Sequence, residues 1–170
     1  KIKGPKRSRG SILKDTYSPK ELAEIVGGSE SSIKRWIDSG KIEAIKTQGG
    51  HRRIEVPEAI RFIRTGDYII HKPETLGIPN LDQGLAEAAR AGEDPVDLLF
   101  EYLKEGRSDL GQGLLLSLFL SGWSLARLCD GPLRGALERI GELWKHGPEG
   151  IYLEHRATDI CIAALNRIRG

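Results

Sequence analysis

The sequence predicts a mainly α fold in two parts: an N-terminal winged helix-turn-helix with a short β-hairpin wing, and a C-terminal four- or five-helix bundle. Three observations predict it. Tyr17 to Ile54 holds two short capped helical patterns, separated by Gly27-Gly28 and followed by a basic, glycine-turned hairpin. From Leu81 onward the apolar residues recur at helical spacing, punctuated by Gly and Pro. The charge divides near the same place. Residues 1–72 hold 16 Lys+Arg against 9 Asp+Glu, and residues 73–170 hold 10 against 15, so a net charge of +2 conceals a basic front and an acidic back.

Residues 1–14 read as a basic flexible arm, with six Lys+Arg and no acid. The arm has too little apolar surface to order itself, so disorder is expected unless it inserts into a minor groove. It would supply much of the long-range attraction to phosphate. Residues 15–64 read as the winged module. Ser18 caps a helix that has Pro19 at its first position, with Glu21 reaching back to the cap. Leu22, Ile25 and Val26 form its apolar face, and Gly27-Gly28 ends it. Ser29 caps a second helix, whose inner side is Ile33, Trp36 and Ile37 and which Gly40 closes. Trp36 is thus expected in the core rather than against a base. The outer side carries Ser31, Ser32, Lys34 and Arg35.

Ile42 to Ile54 then reads as two β-prone arms around a Gln48-Gly49-Gly50 turn. This hairpin bears Lys46, His51, Arg52 and Arg53. Side chains alternate along a strand, so only one of Arg52 and Arg53 is expected to face a given surface. Pro57 starts a third helix that runs to Arg64, with Ala59, Ile60 and Ile63 inward. Residues 65–80, with Pro73, Pro79 and two glycines, read as a linker. Within it, Tyr68, Ile69 and Ile70 form a short strand or pack on a neighbour.

Residues 81–170 read as the bundle. Leu81, Leu85 and Ala88 mark a first helix ended by Gly92. Asp94 and Pro95 open a second, with Val96, Leu99, Phe100 and Leu103 inward and Gly106 as its stop. Asp109 to Leu120 is apolar on most sides, which marks the most buried helix. Ser124 caps a segment reaching Asp130, Pro132 restarts or kinks it, and the helix continues through Leu133, Leu137, Ile140 and Leu143 to Trp144. After the Gly147-Pro148-Glu149-Gly150 loop, a final helix runs from about Tyr152 to Ile168.

Composition narrows the classes. Cys129 and Cys161 are too few for a disulfide framework and lack zinc spacing, so buried free thiols in a reducing cytosol are expected. No secretory signal is recognisable, and the apolar run Leu114 to Leu120 is too short to span a bilayer. Beginning at Lys1 with no methionine, the 170 residues are expected to be part of a longer reading frame.

The run SSIKRWIDSGKIEAIKTQGGHRRI, with Trp36, Gly40 and Gly49-Gly50-His51-Arg52-Arg53 as its specific parts, resembles the DNA-binding domain of the MerR superfamily and its excisionase-like relatives. The resemblance implies that the second helix enters a major groove while the wing holds the flanking backbone. The expected DNA-contacting residues are Ser18, Ser31, Ser32, Lys34, Arg35, Lys46, His51, Arg52 and Arg53. Hydroxyls in the first turn of the second helix can meet phosphate or base edges, and arginine is the commonest reader of guanine.

Trp144 stands at the end of one helix, and Glu154 with His155 begins the next, so the three can converge on one bundle surface. IGELW, nine residues, then EH and AT resembles the helical module of cobalamin-binding regulators, the CarH/LitR type of light-responsive MerR relatives, and the cap module of corrinoid enzymes. The resemblance implies Trp144 above a cobalamin, with Glu154 and His155 beside it and His146 nearby. It also implies an oligomer assembled by adenosylcobalamin and dismantled by light. In that family the corrinoid is held largely by a following Rossmann-like domain with a D-x-H-x-x-G loop. No Asp here has a His two residues on, and the chain stops at Gly170. Light-sensing members carry a histidine directly after the tryptophan; here that position is Lys145, and His146 lies a further 100° or so round a helix.

The expected function is a non-catalytic, cytoplasmic (bacterial nucleoid-associated) DNA-binding regulator. Its partners would be double-stranded DNA and further copies of itself, with no membrane and no metal. Two alternatives stand beside it: a regulator whose bundle is a cofactor-free dimerisation or protein-interaction module, and the cap fragment of a corrinoid-dependent enzyme.

Overall fold

Ser18 is extended and its hydroxyl accepts from the Glu21 amide, while the Glu21 carboxylate accepts from the Ser18 amide. This reciprocal box opens α1 (Pro19–Ile25), as its residues dictate. The computed structural model describes residues 14–77, 81, 86, 94–144 and 149–169, excluding the side chains of 144, 149 and 150. The expectations for residues 1–13, for the helix through Leu85 and Ala88, for the Trp144 side chain and for His146 lie outside the described residues.

Gly27 turns the chain with φ +65°, and Ser29 caps α2 (Glu30–Asp38) through the Ser32 amide. The wing follows as β2 (Ile45–Lys46) and β3 (Arg52–Glu55), closed by a Thr47–Gly50 turn in which Gly50 takes φ +76°. A further strand, β1 (Thr16–Tyr17), was not expected from the sequence. It pairs with the far edge of β3, giving the antiparallel order β1-β3-β2. Two residues carry no periodic signal. The pairing nonetheless buries Tyr17 completely and sets the start of α1 beside the wing.

The third helix of the module is α3 (Val56–Thr65), which buries Val56, Ala59, Ile60, Phe62 and Ile63. Trp36 packs on its Phe62, with ring centroids 5.3 Å apart, and Tyr68 stacks on Phe62 at 4.8 Å. Trp36 is thus on the core side, and of the Tyr68-Ile69-Ile70 alternatives Tyr68 packs on a neighbour while Ile69 stays exposed. A 3-10 turn at Pro73–Leu76 brings Leu76 into the core, where its carbonyl accepts from the Tyr17 hydroxyl. Burial raises the Tyr17 pKa.

In the bundle, Asp94 caps α4 (Pro95–Glu105), and Gly106 ends it with φ +72°. Leu99, Phe100 and Leu103 are buried as expected, whereas Val96 is only half-buried. The helix α5 (Ser108–Leu120) is buried continuously from Leu110 to Leu118. Next come α6 (Leu125–Leu128), a π-helical turn (Cys129–Leu133) and α7 (Arg134–Trp144). Of the two expectations for Pro132, a restart does not occur: the helix runs on through it as a π turn. A proline has no N–H to give the i→i−4 ladder, and here it sits inside the wider π turn.

The last helix, α8 (Glu149–Arg169), begins earlier than expected. Two burial expectations need correction. Leu143 is exposed on α7, and Cys129, in the π turn, is only half-buried against the edge of the core. Cys161 is buried, and burial pushes its thiol up to about 12.

The module and the bundle share one apolar core. The helix α3 packs against both α8 and α5. No helix among the described residues is long and apolar enough to cross a membrane.

Candidate nucleic-acid interface

The outer side of α2 carries Ser31, Lys34 and Arg35 exposed, with Ser32 half-buried beside them. The capping hydroxyl of Ser29 lies 3.0 Å from Ser31 Oγ and 2.9 Å from Ser32 Oγ, and Arg35 Nη2 donates to Ser32 Oγ at 3.3 Å. The first turn of α2 is therefore a hydroxyl cluster with a guanidinium leaning over it.

Between that turn, the start of α1 and the wing lies an open groove of about 460 Å³. Its walls include Ser18, Lys34, Lys46, His51, Arg52 and Arg53. Residues separated by more than thirty positions thus come together on one surface, because β3 pairs with β1 on one side and β2 on the other. Ser31, Ser32 and Arg35 lie outside the groove, farther round α2.

Contrary to the expected alternation, both Arg52 and Arg53 line this groove. The strand is only four residues long and leaves a tight turn, where two-stranded ribbons twist strongly. Each of the two side chains is also paired with a different acid. Arg52 bonds to Asp38 at the end of α2, and Arg53 lies 3.9 Å from Glu21 in α1.

Sequence reading did not assign the acids that pair with the groove's cations: Glu30 lines the groove, while Glu21 and Asp38 lie outside its walls and pair with its arginines. Glu21 accepts from Lys14 Nζ at 2.7 Å as well as from the Ser18 hydroxyl. Burial alone would raise its pKa, but the Lys14 ammonium with the Ser18 amide and hydroxyl outweighs that and brings it to about 2. Glu30 pairs with Lys34 at 2.7 Å, and that hydrogen bond lowers its pKa. The Glu30–Lys34 pair was legible as i,i+4 spacing. Asp38 and Arg52 are fourteen positions apart and give no local signal.

Behind the wing, Glu58 accepts from the Glu43 amide at 2.8 Å and from Arg61, whose guanidinium also donates to Lys41 O. Desolvation opposes the ionised Glu58, but the Arg61 and Glu43 bonds prevail and lower its pKa. This bracket fixes where the chain leaves α2 for the wing.

Residues 16–65 match the family model described as a helix-turn-helix domain. With the two capped helices and the basic wing above, this segment is a DNA-binding helix-turn-helix module. Compared with curated proteins and with solved structures, the chain has no significant match.

In the bundle, Glu154 and His155 are both exposed near the start of α8, and Ile151 and Tyr152 beside them are 47% and 69% exposed. Among the described residues, no group of three His, Cys, Asp or Glu side chains is placed to share a metal ion.

Proposed function

We propose that the chain is a sequence-specific, MerR-like transcriptional regulator acting in the cytoplasm. In this reading α2 enters the major groove, where Ser31, Ser32, Lys34 and Arg35 meet base edges and phosphates. The wing and the start of α1 hold the flanking backbone. The observation that carries it is the groove itself: five basic side chains and the Ser18 cap meet beside the helix that would read sequence.

Selection of bound duplexes from a random pool, followed by titration across salt, tests the reading. A recovered site whose affinity falls steeply with salt is the expected result. Arg35→Ala should then relax base preference at one or two positions. Unchanged preference after mutating both Lys34 and Arg35 would refute the assigned reading face.

The bundle is proposed as the sensor, with adenosylcobalamin as its ligand and a homo-oligomer as the bound assembly. Support comes from the resemblance of the Trp144, Glu154 and His155 spacing. The exposed Glu154 and His155 next to the apolar Ile151 and Tyr152 also suit a flat ligand with polar edges. When bound, the cofactor would supply a light-sensitive cobalt–carbon bond. Titration in the dark, read by the corrinoid spectrum and by sedimentation, tests this. A silent titration favours a cofactor-free interaction module.

A further inference from the structure

We propose that Asp38 is a positioning residue that aims Arg52 at the DNA backbone and thereby sets the margin between specific and non-specific binding. The inference rests on the reading of the groove as the DNA face. A carboxylate in the last turn of α2 is misplaced for the helix dipole, so helix stability does not account for it. Nor does Asp38 serve as the cap; at that end Ser39 donates to the Trp36 carbonyl. Its contact is with Arg52, at the first position of β3. Arg52 lines the groove and is 29% exposed, while Asp38, outside the groove's walls, is 59% exposed, so both members of the pair are open to solvent.

Among the described residues, the guanidinium is engaged through Nη2 alone. An arginine has five N–H donors in a rigid fork, so Nε and Nη1 keep donors for a phosphate oxygen. Held at one end, the fork presents the other end in one direction. A phosphate in line with it gains a preoriented bond. A phosphate out of line meets the Asp38 carboxylate and is repelled. Discrimination then arises from a penalty on the wrong register as well as a contact in the right one. The groove contains a contrast: Lys46 also lines it, with no carboxylate within ion-pair distance among the described residues.

The test uses the full chain and two duplexes, one recovered by selection and one unrelated. Asp38→Asn keeps the side-chain shape and removes the charge. Affinity for the unrelated duplex should rise about threefold to tenfold, with the salt slope steepening by about one, as for one newly available cation. Affinity for the selected site should hold or fall, so the ratio of the two drops. In an Arg52→Ala background the same substitution should no longer lower that ratio. Equal tightening on both duplexes would overturn the proposal and leave Asp38 as a generic negative charge. No change on either would also overturn it. If the unsubstituted chain binds neither duplex, the reading of the groove falls first and this inference with it.

Discussion

The Arg64 guanidinium lies 3.8 Å from the centroid of the Phe119 ring. Arg64 is near the end of α3 in the DNA-binding module, and Phe119 is near the end of α5 in the bundle. The contact therefore clamps the two parts together at the rim of their common core. A stacked guanidinium of this kind contributes on the order of 0.5–2 kcal/mol. Arg64→Ala should lower the stability of the whole chain by about 1 kcal/mol in urea denaturation. Arg64→Lys should recover part of the loss. Equal stability of all three chains would show the contact to be idle.

Glu21 gives the module a pH dependence of definite sign. Its folded pKa of about 2 lies below the ordinary carboxylate value of 4.5, so its contribution is complete above that value and is lost as pH falls toward 2. Glu21→Gln removes that dependence along with the ion pair to Lys14. The expected result is a variant less stable at neutral pH by about 1 kcal/mol, the usual scale of a lost cap. The gap from the parent chain should narrow as acid is added. Stability at several pH values, followed by circular dichroism, checks it.

Gly66 has ordinary backbone angles, yet it leaves no room for a side chain. A Cβ there would stand 2.1 Å from Tyr68 Cε2, so the ring would have to leave its stack on Phe62. Gly66→Ala should cost about 1–3 kcal/mol, as overpacked sites do, and change the near-ultraviolet dichroism of the Trp36-Phe62-Tyr68 cluster. The double variant Gly66→Ala with Tyr68→Ala should relieve the clash but lose the stack.

Leu115 is wholly buried in α5, and Ile69 is 75% exposed. Truncation to alanine should therefore separate the two. Leu115→Ala should cost about 2–5 kcal/mol, and Ile69→Ala should stay within about 0.5 kcal/mol of the parent. Denaturation midpoints measure both.

Arg53 and Lys46 face the groove from opposite strands of the wing. Under the proposed function each meets phosphate, so each alanine variant should reduce the slope of log affinity against log salt by about one, with base preference unchanged. A shift in the recovered sequence instead would move these residues to the reading surface.

Local chemistry explains why so much of the module could be read in advance. The Ser18-Pro19-Glu21 box, the Ser29 cap, Gly27 and Gly50 at positive φ, and the apolar stripes of α2 and α3 act within a few residues of one another. Each leaves its mark at fixed spacing. The buried run of α5 was legible for the same reason, because a helix surrounded by partners is apolar all round. The failures were of another kind. A two-residue strand has no period, a proline inside a helix does not reveal whether the helix breaks or bulges, and the exposure of Leu143 depends on what lies opposite it.

By itself the sequence determined two capped helices across a glycine turn, a basic glycine-turned wing and an all-helical remainder, since caps, turns and apolar periods are short-range properties. Only the tertiary structure decided that β1 pairs with β3, that Arg52 and Arg53 share a groove and pair with acids from α2 and α1, and that α3 joins the module to the bundle. Those relationships link residues distant along the chain, and their energies depend on where folding places the partners rather than on spacing in sequence.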